Sequence, residues 1–202
     1  MLTGAAGSGY ALLLLDLQDA ICREDGDVGQ AGYGQQVSAL HVLDRAAWSL
    51  NEARRRGMFI AYSRLAFDKE YSTLTSASPR LGALRDAGLF QAGSPGAAIC
   101  AEVAPRAGEL VVDKTGIDPF SGSPLLPALL SRGITSIVLT GVATEHVVES
   151  AARHASDAGL RVAVLDDACS SRTAELREHA LRETLPFYAV VTSSRQFFGA
   201  ID

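Results

Sequence analysis

The chain has 202 residues, of which 48% are hydrophobic, and it carries 18 basic against 23 acidic side chains, for a net charge of -5. This length suits one domain with a substantial core, and the negative charge excludes the basic surface typical of nucleic-acid-binding proteins. With no signal peptide, no transmembrane stretch and three scattered cysteines, the sequence predicts a single cytoplasmic domain over residues 1–202, with a small-molecule partner and no membrane partner.

The first half of the chain predicts two strands, one helix and a long irregular segment. An unbroken apolar run that begins at Tyr10 is typical of a strand covered on both faces, and Asp16 lies at its carboxyl end. Residues 36–56 have apolar side chains at helical spacing, and residues 58–63 predict the second strand. Residues 64–95 have no clear period, which is typical of a binding loop, so a lid-like region is expected there.

The second half alternates strands and helices. The predicted strands are residues 109–114, a central strand from residue 137, residues 161–165 and residues 189–191. The predicted helices are a short turn within 95–103, residues 125–131, about 145–158 and 173–184, and a short terminal helix. Strands that alternate with helices predict a parallel sheet with right-handed crossovers and helices on both faces, and hence an α/β fold.

The central strand is followed directly by a helix. β-branched residues lead into Gly141, Thr144 is a suitable capping residue, and Glu145 lies in the first helical turn. Such a junction directs unpaired backbone N–H groups to the carboxyl edge of the sheet, where open α/β folds bind ligands and where an anion is stabilised. Asp16 and Lys114 are expected at the same edge, because each ends a predicted strand.

These strand ends resemble the isochorismatase-like hydrolase superfamily, which has the cysteine hydrolase fold. The resemblance extends from about Leu12 to Phe198, and its most specific segments are Leu14-Leu15-Asp16-Leu17-Gln18, Asp113-Lys114 with Phe120, Thr140-Gly141-Val142-Ala143-Thr144, Val148-Glu149-Ser150, Ala152-Arg153 and residues 166–171. It implies a Rossmann-like, three-layer fold with a six-stranded parallel sheet in the order 3-2-1-4-5-6. It also implies a homodimer or homotetramer and a non-proline cis peptide between Val142 and Ala143.

In the cysteine amidases of this superfamily, the resemblance implies a catalytic Asp, Lys and Cys. Asp16 and Lys114 match the first two, but the nucleophile position is Val147, whose isopropyl group neither attacks a carbonyl nor transfers a proton. The chain therefore resembles a branch that lacks the nucleophilic cysteine. Any of the three cysteines, Cys22, Cys100 and Cys169, is an alternative nucleophile, although such residues usually serve as small hydrophobic side chains.

The isochorismatase branch also lacks the cysteine, and the resemblance implies that it cleaves a vinyl ether with an Asp placed like Asp16. That reaction needs an acid rather than a nucleophile. Lys114 would lower the pKa of Asp16 and burial would raise it, while a substrate carboxylate paired with Lys114 would favour the protonated acid. We therefore expect a hydrolase that acts on a small carboxylated or cyclic metabolite. The alternatives are an amidase that uses Asp16-activated water and a non-catalytic ligand-binding protein.

Several other residues are candidate substrate contacts. Gln18 is a candidate to bind a substrate oxygen, and Arg64 to bind a carboxylate through its planar guanidinium. The resemblance implies that the amides of Ala143, next to Val142, and of Val147 face a bound oxygen, and His146 lies near the same turn. The candidates for an aromatic, ring-binding wall are Phe120, Tyr62, Phe67, Tyr71 and Phe90. The alternative for these aromatic residues is a place in the core.

We expect no metal and no cofactor. The resemblance implies an Asp and His metal cluster in nicotinamidases, in the loop after the second strand, but residues 63–68 contain no histidine here. The four histidines, His41, His146, His154 and His179, lie in predicted helices without a pair at ligand spacing.

Overall fold

We describe residues 9–201 from a computed structural model of the chain. A six-stranded parallel sheet crosses the molecule in the order β3-β2-β1-β4-β5-β6. Its strands are β1 (Tyr10–Leu15), β2 (Phe59–Leu65), β3 (Leu110–Lys114), β4 (Ser136–Val142), β5 (Arg161–Ser170) and β6 (Val190–Thr192). The predicted α/β fold and strand order are confirmed.

Helices cover both faces of the sheet. They are α1 (Asp19–Cys22), α2 (Tyr33–Ala39), α3 (Val42–Arg55), α4 (Pro79–Asp86), α5 (Leu125–Leu130), α6 (Glu149–Asp157), α7 (Ala174–His179) and α8 (Ser194–Ala200). Successive side chains of a strand point to opposite faces, so β1 contributes Leu12 and Leu14 to one core and Leu13 and Leu15 to the other. This double coverage explains why β1 is apolar at every position.

Three predicted helices have different bounds in the structure. The helix predicted over residues 173–184 consists of α7, which ends at His179, and a π-helical turn, Ala180–Thr184. The helix predicted over residues 36–56 is divided into α2 and α3, because His41 between them has a positive φ of 53°. The helix predicted over residues 145–158 begins with a π-helical turn, Thr144–Val148, before α6. A π-helical turn inside a helix is often found at a functional site, and this one follows directly from the end of β4.

The fifth strand is longer than predicted. Instead of ending at Leu165, β5 continues to Ser170, because its last residues pair again with β4 after a register shift between Leu139 and Gly141. The longer strand brings residues 166–170 to the same edge of the sheet as the end of β4.

The lid-like region, residues 64–95, leaves the sheet after β2 and returns to it. The backbone N–H of Phe67 donates to Phe90 O at 2.8 Å, and that of Ala92 donates to Phe67 O at 2.7 Å, so the two ends of the excursion are joined. Between them lies α4, which the sequence did not predict. The side chains of Leu81 and Leu84 on α4 are buried. The region is therefore held against the carboxyl edge of the sheet.

Between residues 9 and 201, the structure has no helix with both the length and the apolar character needed to cross a membrane.

Candidate active site

A largely apolar cavity lies at the carboxyl edge of β1, β3 and β4, beneath the lid-like region. The space inside it that a water-sized molecule can occupy is about 110 Å³. The polar side chains in its wall are those of Asp16, Lys114, Tyr33, Arg80 and His146.

Asp16 and Lys114 form a buried ion pair in this cavity. Lys114 Nζ lies 2.9 Å from Asp16 Oδ2, and the two side chains are 1% and 7% exposed, respectively. Lys114 Nζ also donates to the backbone oxygens of Gly116 at 3.1 Å and Ile117 at 3.0 Å. An ammonium group has three protons to donate, so these contacts occupy all of them. Lys114 is therefore not available to bind a substrate carboxylate in the way the sequence suggested.

The other oxygen of Asp16 is free. Within the part of the chain that the structure describes, buried Oδ1 has no hydrogen-bond partner. The residue has a positive φ of 54°, a conformation that Asp tolerates better than most side chains, and its backbone N–H donates to Ser63 O at 2.8 Å. The backbone is thus held by β2, while the carboxylate offers one oxygen for chemistry.

Burial raises the pKa of the Asp16 carboxyl above its usual value, although the charge of Lys114 and its hydrogen bond act in the opposite direction. An Asp with a raised pKa is a stronger base when ionised, and it holds a proton closer to neutral pH than an exposed Asp does. Both forms of Asp16 are therefore chemically useful at moderate pH.

The central turn also contributes to the wall of the cavity. Val142, Ala143, His146 and Val147 all line it. The peptide between Val142 and Ala143 is cis, as the resemblance implied. Val147 is buried and aliphatic, so no side-chain nucleophile is present at this position.

Gly141 enables a close approach between β4 and β1. A Cβ atom on Gly141 would lie 2.1 Å from the backbone oxygen of Leu15, and the φ of Gly141 is +152°. No side chain fits at that distance. The contact brings the central turn next to Asp16, which follows Leu15 in the chain.

Gln18 has a structural position and does not line the cavity. Its Nε2 donates to Leu65 O at 2.8 Å and to Ala97 O at 3.0 Å, and its Oε1 accepts from Leu65 N at 2.8 Å. The prediction that it binds a substrate oxygen is therefore replaced by a role in fastening the loop after β1 to both sides of the lid-like region.

Arg64 and Phe120 also lie outside the cavity. Arg64 Nε donates to Asp113 Oδ1 at 2.6 Å, because the two residues are opposite each other on β2 and β3. Phe120 is buried in the core of the other face, with its ring centroid 5.2 Å from that of His154. Of the five aromatic residues predicted as a ring-binding wall, Phe90 alone lines the cavity described here.

Sequence reasoning missed two polar lining residues, Tyr33 and Arg80. Tyr33 begins α2, and Arg80 lies in the first turn of α4. The single signal that pointed to α4 was Pro79, since proline is common at the first position of a helix. Tyr33 had no comparable signal, because the preceding glycines indicated a loop.

The three cysteines do not line this cavity and are all buried. Contact with Cys100 and then burial raise the pKa of Cys22 well above its usual value, and burial raises that of Cys169 to about 12. A thiol with a raised pKa is a poor nucleophile at neutral pH. Among residues 9–201, no group of three or more His, Cys, Asp or Glu side chains is arranged to hold a metal ion.

Residues 10–196 match the family model described as the isochorismatase domain. The chain is 31% identical to ureidoacrylate amidohydrolase RutB of Variovorax paradoxus (strain S110), over 95% of this chain and 77% of that protein. It is also 31% identical to RutB of Stutzerimonas stutzeri (strain A1501), over 93% of this chain and 80% of that protein.

Two solved structures show the same fold. An isochorismatase family protein from Desulfovibrio vulgaris has a TM-score of 0.84 at 23% identity, with 96% of this chain and 98% of that chain covered. N-carbamoylsarcosine amidase from Thermoplasma acidophilum has a TM-score of 0.70 at 22% identity, with 92% and 96% covered.

Proposed function

The chain belongs to the isochorismatase family, and we propose that it hydrolyses a C–N bond in a small metabolite by using Asp16 to activate water. The observation that carries this proposal is the free Oδ1 of Asp16 in a buried ion pair, in a cavity that Val147 also lines. A carboxylate and a water molecule suffice for hydrolysis without a covalent intermediate. The curated relatives are named amidohydrolases, which supports C–N cleavage over the ether cleavage that the sequence favoured.

In the proposed reaction, ionised Asp16 accepts a proton from water while the water oxygen attacks the substrate carbonyl carbon. The carbonyl electron pair moves onto oxygen, and the backbone N–H groups of Ala143 and Val147 bind the resulting oxyanion. Asp16 then donates its proton to the leaving nitrogen as the C–N bond breaks. The products are a carboxylic acid and an amine, and the Asp16 carboxylate is restored.

Lys114 supports this cycle without contacting the substrate. Its charge opposes the effect of burial on the pKa of Asp16, so the carboxyl is ionised over more of the pH range. Its bonds to Gly116 and Ile117 fix the ammonium group, which in turn holds Oδ2 and leaves Oδ1 to the water.

Vinyl-ether hydrolysis is the second candidate, and the raised pKa of Asp16 favours it. In this case protonated Asp16 would transfer its proton to the enol-ether carbon, and water would capture the oxocarbenium ion. The water would return a proton to Asp16, and the hemiketal would collapse to a ketone and an alcohol. This reaction also requires no nucleophilic side chain.

A turnover assay with isochorismate, small amides and ureido acids tests the proposal. We expect turnover of an amide or ureido acid, with the same rate after treatment with iodoacetamide, because the cysteines are buried and lie outside the cavity. Turnover of isochorismate alone would assign ether hydrolysis. Inactivation with one alkylated cysteine would contradict the cysteine-independent mechanism, and ligand binding without any turnover would favour a binding protein.

The pH dependence of kcat/KM distinguishes the two reactions. If Asp16 is the base, kcat/KM rises with pH as the carboxyl ionises, and the midpoint lies above the ordinary Asp pKa of about 3.9, because burial raises it. If Asp16 is the acid, kcat/KM falls as pH rises through the same pKa. An increase of kcat/KM with pH that is lost in an Asp16 variant would support water activation. A decrease of kcat/KM with pH that is lost in the same variant would support ether hydrolysis.

A further inference from the structure

We infer that His154, on α6, is a positioning residue for the proposed reaction, because through Asp118 it holds the loop whose backbone oxygens fix the ammonium group of Lys114. The inference deepens the proposed function and rests on it, since it takes Asp16 as the reacting group. His154 itself does not line the cavity, so it acts on the reaction through the loop after β3.

The first argument is the position of Asp118 in that loop. Lys114 Nζ donates to the backbone oxygens of Gly116 at 3.1 Å and Ile117 at 3.0 Å, and these two residues directly precede Asp118. A peptide unit is planar, so the carbonyl group of Ile117 and the Cα atom of Asp118 move together. Whatever holds Asp118 in place therefore also holds an acceptor of Lys114.

The second argument is the set of contacts made by the Asp118 carboxylate. Its Oδ1 accepts from the backbone N–H of Phe120 at 3.1 Å and its Oδ2 from Ser121 Oγ at 2.6 Å, but both donors belong to the same loop. His154 Nδ1 lies 2.6 Å from Oδ2, and within residues 9–201 it is the one partner of this carboxylate from outside the loop. Both side chains are partly buried, so water screens their contact less than it screens a surface pair.

The third argument is the helix on which His154 lies. The ring centroid of His154 is 5.2 Å from that of buried Phe120, which gives α6 a second contact with the loop. The same helix begins directly after the π-helical turn that contains Val147. Through His154, α6 thus connects the turn proposed to bind the oxyanion with the loop that holds Lys114.

Removal of the His154 ring should alter Asp16 in a defined direction. Without its partner on α6, Asp118 holds the backbone oxygens of the loop less firmly, and the buried ammonium group of Lys114 needs other acceptors. Asp16 Oδ1 is free and belongs to the carboxylate that Lys114 already contacts. An added hydrogen bond to that oxygen favours the ionised carboxyl, so the pKa of Asp16 falls and Oδ1 is no longer open to water.

The titratable groups near Asp16 are the same in the wild type and in a His154 variant. They include Lys114 on β3, the thiol of Cys22 on α1, and the side chains that share the cavity wall, Tyr33, Arg80 and His146. A shift in the pKa of Asp16 therefore reports a change in the contacts of Lys114, which a general loss of stability would not produce.

Carbon NMR of protein with isotope-labelled aspartate carboxyl groups tests the inference, with the Asp16 signal assigned from Asp16→Asn. We expect His154→Ala to lower the pKa of Asp16 by about one unit, the effect of one new charge-assisted hydrogen bond. It should reduce kcat by about tenfold and leave KM within about twofold, because a displaced reacting group slows the chemical step while the cavity wall is unchanged. His154→Asn should recover most of both effects, since its amide can donate to Asp118 from nearly the place of Nδ1.

His41→Ala is the matched control, because His41 Nδ1 also lies near a carboxylate, 3.5 Å from Asp44 Oδ2, but in a largely exposed pair at the start of α3. It should leave the pKa of Asp16 and kcat as in the wild type. An unchanged pKa of Asp16 in folded His154→Ala, or the same loss of kcat in His41→Ala, would overturn the inference. If His154→Ala does not fold, Asp118→Ala removes the same contact and should lower the pKa likewise. The NMR titration needs no substrate, so a protein without turnover would contradict the proposed function and leave this result intact.

Discussion

Asp16→Asn is expected to reduce kcat by about 10³-fold, since a positioned acid or base typically contributes between roughly 10² and 10⁴. Asparagine keeps the size of the side chain but accepts no proton from water and has none to give to a leaving group. The variant also leaves the buried charge of Lys114 without its carboxylate. Turnover of the best substrate from the panel is measured for wild type and variant, with circular dichroism to verify that each is folded.

Asp113→Asn is the control for this experiment. Asp113 precedes Lys114 on the same strand and also forms an ion pair, but its partner is Arg64 and it lies outside the cavity. Its removal should leave kcat within about twofold, since exposed ion pairs contribute little. If Asp16→Asn does not fold, Asp16→Asn/Lys114→Met removes both charges and keeps the prediction testable. An Asp16 variant with more than a tenth of wild-type turnover would contradict both mechanisms.

Gly141→Ala is expected to destabilise the protein by about 2–6 kcal/mol, because overpacking and backbone strain each cost roughly 1–3 kcal/mol. The added Cβ would lie 2.1 Å from the backbone oxygen of Leu15, at the closest approach of β1 and β4. Neither strand can yield easily, because both are covered on two faces. Urea unfolding of the wild type and the variant measures the difference.

Gly82→Ala provides the comparison for this effect. Gly82 lies within α4, and a Cβ there would have no neighbour within 4 Å. Since alanine favours helix over glycine by about 1 kcal/mol, this substitution should be neutral or stabilising. Equal stabilities of Gly141→Ala and the wild type would show that the two strands separate at little cost.

The sheet and its carboxyl edge could be predicted because their signals are local in sequence. Unbroken apolar runs identified β1 and β4, and the residues that ended predicted strands placed Asp16 and Lys114 at one edge. No local signal in the sequence predicted which acceptors the ammonium group of Lys114 would contact. Their acceptors, Gly116 and Ile117, are backbone oxygens in a loop whose course depends on the finished fold.

The residues that line the cavity were harder to predict, because partners distant in sequence decide where a polar side chain goes. Arg64 was a reasonable candidate until the pairing of β2 with β3 placed Asp113 beside it. Gln18 likewise bonds to Leu65 and Ala97, which are far from it in the chain. Arg80 had no apolar periodicity around it, since α4 lies in a segment without a clear pattern.

The lid-like region is closed by the hydrogen bond between Phe67 and Phe90 and contributes Leu65, Arg80, Leu81, Leu84 and Phe90 to the cavity. Asp16, the proposed acid or base, and the turn proposed to bind the oxyanion lie at strand ends of the sheet instead. Under the proposed function, the reacting groups and this part of the cavity wall therefore come from separate stretches of the chain. Substitutions in the lid-like region can therefore reshape this part of the wall while the residues at the strand ends stay unchanged.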